Sequence, residues 1–183
     1  MSLASDQAAF VAWLLDVVIH EQINLVVIAG DLYDRAIPPA ESVVLMRDLL
    51  AQLHSRGVVV VAIAGNHDGA ERVSAYDGLI DAAAVYLRGG YARAGEVLTL
   101  QFADGPLDVV AVPFLDPILA PGQTGDTGDV AEVRPVGSEP IPERVRRTHQ
   151  SVLDNALIAA RQHRSSQRSI VVAHAFVTGG QVS

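Results

Sequence analysis

Two stretches of sequence decide the fold, LVVIAGDLYDR at residues 25–35 and VVVVAIAGNHD at residues 58–68. Each begins with a short apolar run rich in β-branched residues and turns polar directly after a glycine. Such fully apolar runs are typical of strands that are buried on both faces of a sheet. We therefore predict buried strands at residues 25–29 and 58–64.

Helical patterns alternate with these strands. Residues 6–21 and 40–54 repeat apolar side chains every three or four positions, which predicts two amphipathic helices. A further apolar run at residues 169–173 predicts a last buried strand. Helices that alternate with apolar strands predict an α/β layer fold in which helices cover a central sheet. The side chains predicted to face inward from the two helices are Phe10, Trp13, Leu14, Val17, Val18, Val43, Met46, Leu50 and Leu53.

Weaker patterns fill the rest of the chain. We predict helices over residues 70–84 and 142–163, and two shorter strands near 96–102 and 108–113. The short strands indicate a second sheet or an antiparallel portion. Residues 117–142 are rich in Pro, Gly, Asp and Thr, which predicts a long, mobile surface loop.

Composition limits the classes of protein that this sequence can form. The chain has 183 residues, of which 50% are apolar and 19% are charged, and these values exclude a disordered chain and favour one domain. It has no cysteine, which excludes disulfides, thiolate metal sites and cysteine nucleophiles. No apolar run is long enough to span a membrane, and no signal peptide precedes the first predicted helix, so we expect a cytoplasmic protein without a membrane partner.

The net charge of −8 argues against a broad basic surface that binds nucleic acid without help. It does not exclude a nuclease, because bound metal ions supply positive charge where phosphate must lie. A local group of arginines predicts either a solvated helix face or a contact with DNA or a protein partner. That group comprises Arg144, Arg146, Arg147, Arg161, Arg164 and Arg168.

Chemically active side chains follow three of the predicted strands. Asp31 follows the first strand, Asn66 and His67 follow the second, and His174 follows the last. Ligands of α/β folds bind beyond the carboxyl ends of the strands, so these residues could converge at one edge of the sheet. Carboxylate, amide and imidazole groups together suit hard-to-borderline divalent metals. Two such metals can clamp a phosphate and activate a bound water.

The two motifs carry a resemblance to a known family. Gly30-Asp31-x-x-Asp34-Arg35 and Gly65-Asn66-His67-Asp68 resemble the GDxxDR and GNHD motifs of calcineurin-like metallophosphoesterases. Within that superfamily the chain is most similar to the SbcD type, the nuclease subunits of SbcC–SbcD DNA-repair complexes. Further similarities to that type lie at Asp6-Gln7-x-x-Phe10, Pro38-Pro39, Val112–Leu115 and Ala173–Gly180.

The resemblance implies a fold, a role for each motif residue, and partners. The fold would be layered, with central mixed β-sheets flanked by helices. Asp31 would bridge two Mn²⁺ ions, and Asn66 and His174 would bind the second of them. His67 would be a catalytic histidine that faces the phosphate and is oriented by Asp68. The implied activity is cleavage of DNA as an exonuclease and hairpin endonuclease with an SbcC-type ATPase subunit.

Other residues have smaller implied roles. The resemblance assigns Asp34 and Arg35 to support of the loop, and a salt bridge between Arg35 and a nearby acid is the simpler interpretation. It also makes the helix over 40–54 a candidate contact in a homodimer. The remaining histidines, among them His149 and His163, are interpreted as solvated surface, and Trp13 as a core residue.

The sequence also departs from the family pattern. The Asp-x-His motif that opens the family and the later Gly-His-x-His motif are both absent from these 183 residues. We therefore expect a partial metallophosphoesterase domain over residues 1–183, incomplete at both ends, with one partial metal site. Three hypotheses stay open: a Mn²⁺-dependent DNA nuclease, a phosphoesterase that acts on a small phosphoester, and a folded but inactive domain.

Overall fold

The structure is a computed structural model that describes residues 3–121 and 148–177. Its helices are α1 (Leu3–His20), α2 (Ala40–Ser55), α3 (Ala70–Val73), α4 (Asp77–Ile80) and α5 (His149–His163). Its strands are β1 (Leu25–Ala29), β2 (Val59–Ile63), β3 (Val85–Arg88), β4 (Glu96–Phe102), β5 (Gly105–Val112) and β6 (Ser169–Ala173). Short 3₁₀ turns lie at Asp81–Ala83, Tyr91–Arg93 and Pro117–Leu119.

The described strands form two sheets. The first has the order β1-β2-β3 and is parallel throughout. The second has the order β4-β5-β6, with β4 antiparallel and β6 parallel to β5. The predicted second sheet with an antiparallel portion is therefore present.

Alternation along the central strands builds four layers, because successive side chains of a strand point to opposite faces. Val60 of β2 packs against α1 and α2, while Val61 and Ile63 pack against the second sheet. On β5, Val109 faces the first sheet, and Val110 packs against α5. The layers run helix, sheet, sheet, helix, which confirms the predicted α/β class.

The predicted burial of the strands is correct for the central strands and wrong for two others. β2 is almost fully buried, but β1 and β6 lie at the edges of their sheets and are half exposed. Val27 of β1 is 37% exposed and Val171 of β6 is 57% exposed. An apolar run predicts a strand, but neighbours from distant parts of the chain decide whether that strand is covered.

The predicted helix over residues 70–84 is also wrong in its length. The segment forms the single turns α3 and α4 and a 3₁₀ turn, and it ends at Ala84 in the left-handed region with φ of 55°. β3 follows immediately and completes the first sheet, although the sequence analysis did not predict it. With only four residues, β3 is too short to give a clear periodic signal.

The inward face of α1 is rotated from the predicted one. Leu15 and Val18 are buried, and Val11 and Leu14 pack against the same cluster. Trp13 is 57% exposed, so its assignment to the core is wrong. Phe10 is equally exposed and lies beside Trp13, with ring centroids 5.6 Å apart.

Parts of two predictions lie outside the described residues. The predicted loop over 117–142 is described only to residue 121, and the predicted helix over 142–163 only from residue 148. The described part of that helix begins with a capping box, in which the Thr148 hydroxyl accepts from the Ser151 amide. None of the helices described in residues 3–121 and 148–177 is long and apolar enough to cross a membrane.

A buried arginine joins the two sheets at the end of β3. The Arg88 side chain is fully buried and donates to both carboxylate oxygens of Asp81 and to Glu96 of β4. Burial lowers the pKa of Arg88, but its hydrogen bond to Asp81 and the charge of Glu96 raise it by more. The guanidinium therefore stays charged and holds the turn before β3 against the start of β4.

We predict that Arg88→Met lowers the free energy of unfolding by about 3 kcal/mol, because it leaves two partly buried carboxylates without their cation. Urea denaturation would measure the loss. Arg47→Met is the matched control, since Arg47 is 69% exposed and pairs only with its neighbour Asp48. The control should cost less than about 1 kcal/mol. Equal losses in the two variants would contradict the role assigned to Arg88.

A second buried charge anchors β6. The Asp108 carboxylate on β5 accepts from the backbone amides of Ser165 and Ser166 and from the Thr99 hydroxyl. The Ser166 amide is the largest cause that lowers the pKa of Asp108; burial opposes it, and the other two donors add to the lowering. These bonds fix the chain between α5 and β6, and so set the position at which β6 ends.

We predict that this anchor weakens in acid. Because the pKa of Asp108 is lower in the folded than in the unfolded chain, its contribution is complete above the ordinary pKa of about 3.9 and is lost as pH falls through the folded value. Thermal melts between about pH 5 and pH 2 should show a shallower decline for Asp108→Asn than for the wild type. Parallel declines would show that Asp108 does not contribute to the acid sensitivity.

Candidate metal and phosphoester site

The carboxyl ends of β1, β2 and β6 meet at one edge of the molecule. The structure places Asp31 after β1, Asn66 and His67 after β2, and His174 after β6, and it brings their side chains together. β1 and β2 are parallel neighbours, so their ends must coincide. β6 reaches the same place from the second sheet and contacts β1.

Two glycines make this close approach possible. A Cβ at Gly65 would lie 2.1 Å from Oδ1 of Asp31, and a Cβ at Gly30 would lie 2.0 Å from Nδ1 of His174. Any side chain at either position would displace the functional group beside it. Gly30 also has φ of 106°, and Asp31 itself has φ of 50°, so the chain turns sharply as it leaves β1.

Three acceptor atoms face one another at this edge. Nδ1 of His174 donates to the carbonyl of Ala29 at 3.0 Å, so Nε2 of the neutral ring carries a lone pair. That nitrogen lies 3.0 Å from Oδ1 of Asn66 and 3.8 Å from Oδ2 of Asp31. A lone pair, an amide oxygen and a carboxylate oxygen repel one another unless a cation or a proton lies among them.

The donor set fits a divalent cation. Carboxylate, amide oxygen and imidazole are ligands of borderline metals such as Mn²⁺, and a metal-binding histidine commonly donates its other ring nitrogen to a backbone carbonyl, as His174 does here. No group of three or more His, Cys, Asp or Glu residues that could hold a metal occurs within residues 3–121 and 148–177. At this edge the third candidate ligand is the amide of Asn66, so the site is a partial one.

His67 lies beside these residues and is held through its backbone and one ring nitrogen. Its amide donates to Oδ1 of Asp31 at 3.1 Å, and its Nδ1 donates to the carbonyl of Asp34 at 3.1 Å. In the described part of the chain, no hydrogen bond engages Nε2. This nitrogen is therefore the one that could exchange a proton with a bound substrate.

Asp68 does not orient His67 as the resemblance implied. Its Oδ2 accepts from the amides of Gly65 and Leu32, at 2.8 and 3.0 Å, and its Oδ1 accepts from the amide of Tyr33 at 2.9 Å. The carboxylate thus ties the loop after β1 to the loop after β2. The carbonyl of Asp34 takes the orienting role that the sequence analysis gave to Asp68.

The residues that follow Asp31 support the loop. Arg35 pairs with Asp34 at 3.1 Å on the surface, as the simpler interpretation predicted. Burial raises the pKa of Tyr33, and the charge of Asp68 raises it further, so its phenol stays protonated near neutral pH. Neither side chain joins the three acceptors.

Three aromatic rings beside His174 were missed by the sequence analysis. Phe114, His149 and Phe176 form one cluster, with centroids 5.1 to 5.9 Å apart, and Phe114 also contacts the ring of His174. His149, which was interpreted as solvated surface, lies at the start of α5 and lines a pocket with His174. The cluster joins three distant segments, so no spacing in the sequence could reveal it.

Comparison with known proteins assigns a family to this arrangement. The family profile described as calcineurin-like phosphoesterase matches residues 4–174. The chain is 30% identical to the SbcD subunit of the SbcCD nuclease of Bacillus subtilis, over 98% of this chain and 43% of that protein. It is 26% identical to the protein of the same name from Staphylococcus epidermidis, over 89% of this chain and 38% of that protein. The chain spans less than half the length of both relatives.

We predict that Asp68→Asn destabilises the fold by about 1 to 3 kcal/mol, because an amide offers a donor where backbone N–H groups need an acceptor. Urea denaturation would measure the change. Asp34→Asn is the control, since the Asp34 carboxylate is exposed and pairs only with Arg35. A control as unstable as Asp68→Asn would show that loss of any loop carboxylate is enough.

Proposed function

The chain belongs to the calcineurin-like phosphoesterase family, and on that premise we propose that it is a metal-dependent DNA phosphodiesterase of the SbcD type. The observation that carries the proposal is the meeting of the Asp31, Asn66 and His174 acceptors beside His67. Acceptors without a cation need positive charge, and a phosphodiester brings negative charge that needs the same partner. A bound divalent cation satisfies both.

The cation would be held by Oδ2 of Asp31, Oδ1 of Asn66 and Nε2 of His174. When bound, it supplies Lewis acidity and positive charge against the phosphoryl oxygens. Family members typically bind divalent metals, and we propose Mn²⁺ for this chain. The hydrogen bond from His174 to the carbonyl of Ala29 keeps the Nε2 lone pair directed into the site.

His67 would act on the substrate through Nε2. Its Nδ1 proton is held by the carbonyl of Asp34, so a second proton on the ring must lie on Nε2. Hydrolysis adds water to phosphorus and breaks one P–O ester bond, and the departing oxygen needs a proton. Nε2 of His67 can donate that proton, and the ring is then neutral until it takes up another.

DNA as the substrate and an SbcC-type ATPase as the partner are supported by the names of the two relatives. A net charge of −8 leaves little general attraction for DNA. Charge at the cation site and contacts by a partner protein would compensate for this. We propose that the chain acts in the cytoplasm as the nuclease part of such a complex.

One observation favours a second candidate, a folded domain without activity. The acceptors described at this edge come from three residues, and only Asp31 and His174 among them are residue types that commonly dominate metal sites. Such a domain would bind at most one cation, and weakly. No specific observation favours a small phosphoester as the substrate.

We predict Mn²⁺-dependent cleavage of end-labelled duplex DNA by the full chain, and slow or no hydrolysis of nucleoside monophosphates. His67→Ala should lower the rate by about 10²- to 10⁴-fold, because it removes the proton donor. His163→Ala, at the exposed end of α5, is the control and should keep the wild-type rate. Gel assays with each variant, at Mn²⁺ concentrations that saturate the wild type, would measure both effects.

Equal rates for His67→Ala and the wild type would refute the role of His67. A wild-type chain that binds Mn²⁺ but cleaves neither substrate would favour the inactive domain.

A further inference from the structure

The aromatic cluster of Phe114, His149 and Phe176 adjoins the candidate phosphoester site. Phe114 precedes the loop that leaves β5, and its amide donates to the carbonyl of Ala64 at the end of β2. Its ring lies 6.3 Å from the ring of His174 and meets it edge to face. One histidine thus separates the three acceptors from the aromatic rings.

Phe176 is the outermost ring of the cluster. It meets Phe114 at 89° and His149 at 84°, so neither neighbour lies flat against it. Its side chain is 66% exposed, although a phenylalanine at this position could have packed inward. The contacts fix the ring in place and leave much of its surface open to a planar partner.

The pocket beside these rings has a mixed lining. Val112, Leu115, Val152 and Leu153 supply its apolar floor, and His149, Gln150 and His174 supply polar groups. An apolar floor with a few polar groups at its rim is typical of sites for small organic groups. Because His174 lines the pocket and also faces Asn66, a molecule bound at both places must carry an acidic group close to a flat, apolar group.

We propose that Phe176, with His149 and Phe114, forms a stacking subsite for the nucleobase next to the scissile phosphate. The inference rests on the proposed function, because it takes the three acceptors to hold the phosphate through a cation. A nucleotide has the required shape, with one sugar between its phosphate and its planar base. Stacking on an aromatic ring is tolerant of base identity, so the subsite would select nucleotides over other phosphoesters without reading sequence.

The test compares two ligands that differ only in the base, deoxyadenosine 5′-monophosphate and 2-deoxyribose 5-phosphate. Their dissociation constants for the full chain would be measured by equilibrium dialysis in the presence of Mn²⁺. Stacking of one base contributes about 1 to 3 kcal/mol, so the nucleotide should bind the wild type roughly tenfold more tightly. Phe176→Leu should remove this preference and leave the affinity for the sugar phosphate unchanged.

Phe10→Leu is the matched control, since Phe10 is a similarly exposed phenylalanine on α1, remote from the site. It should keep the tenfold preference. Asp31→Asn should weaken the binding of both ligands, which tests the phosphate site separately.

The outcomes distinguish the two proposals. Equal affinity of the wild type for both ligands, with both weakened by Asp31→Asn, would overturn the stacking subsite and leave the phosphate site standing. A preference that survives Phe176→Leu would also overturn the subsite. Failure of both ligands to bind, or binding that Asp31→Asn does not change, would overturn the proposed function together with the inference.

Discussion

The hydrogen bond from Nδ1 of His174 to the carbonyl of Ala29 joins the edge of one sheet to the edge of the other. The site depends on this contact, because it sets which ring nitrogen of His174 carries a lone pair and directs that lone pair toward Asn66 and Asp31. The contact requires Gly30, since a Cβ there would occupy the place of the ring. It also requires β6 to end at the level of β1, which Asp108 secures through the chain that leads into β6.

The loops that carry the acceptors are held by backbone contacts more than by ion pairs. Asp68 takes amides from both loops, and the Asp31 side chain takes the amide of His67. A carboxylate that holds backbone amides fixes the loops before any ligand arrives. The fold thereby supplies a preorganised group of acceptors in which a cation loses little freedom on binding.

The fold was predictable wherever local pattern and tertiary setting agree. The strands over residues 25–29 and 169–173 were predicted with the bounds they have, because their apolar β-branched runs end sharply at a glycine and at a histidine. The exposure of these same strands was not predictable, since it depends on neighbours. The exposed position of Trp13 and the breaks within residues 70–84 likewise depend on how helices meet the sheet.

For the site, residue types and strand ends indicated Asp31, Asn66, His67 and His174, whose convergence the parallel sheet makes plausible from sequence. The partner of Asp68 was not predictable, because its three amide donors lie in two loops whose separation in space only the fold defines. The same reason hid His149, which shares no motif with the residues beside it.

A calorimetric titration of the full chain with Mn²⁺ tests the cation site most directly. The expected result is saturable binding to the wild type and to Asp34→Asn, with binding abolished or greatly weakened in Asp31→Asn and in His174→Ala. Heats that are the same in the wild type and in these two variants, or no binding to any of them, would contradict the proposal that Asp31, Asn66 and His174 hold a divalent cation.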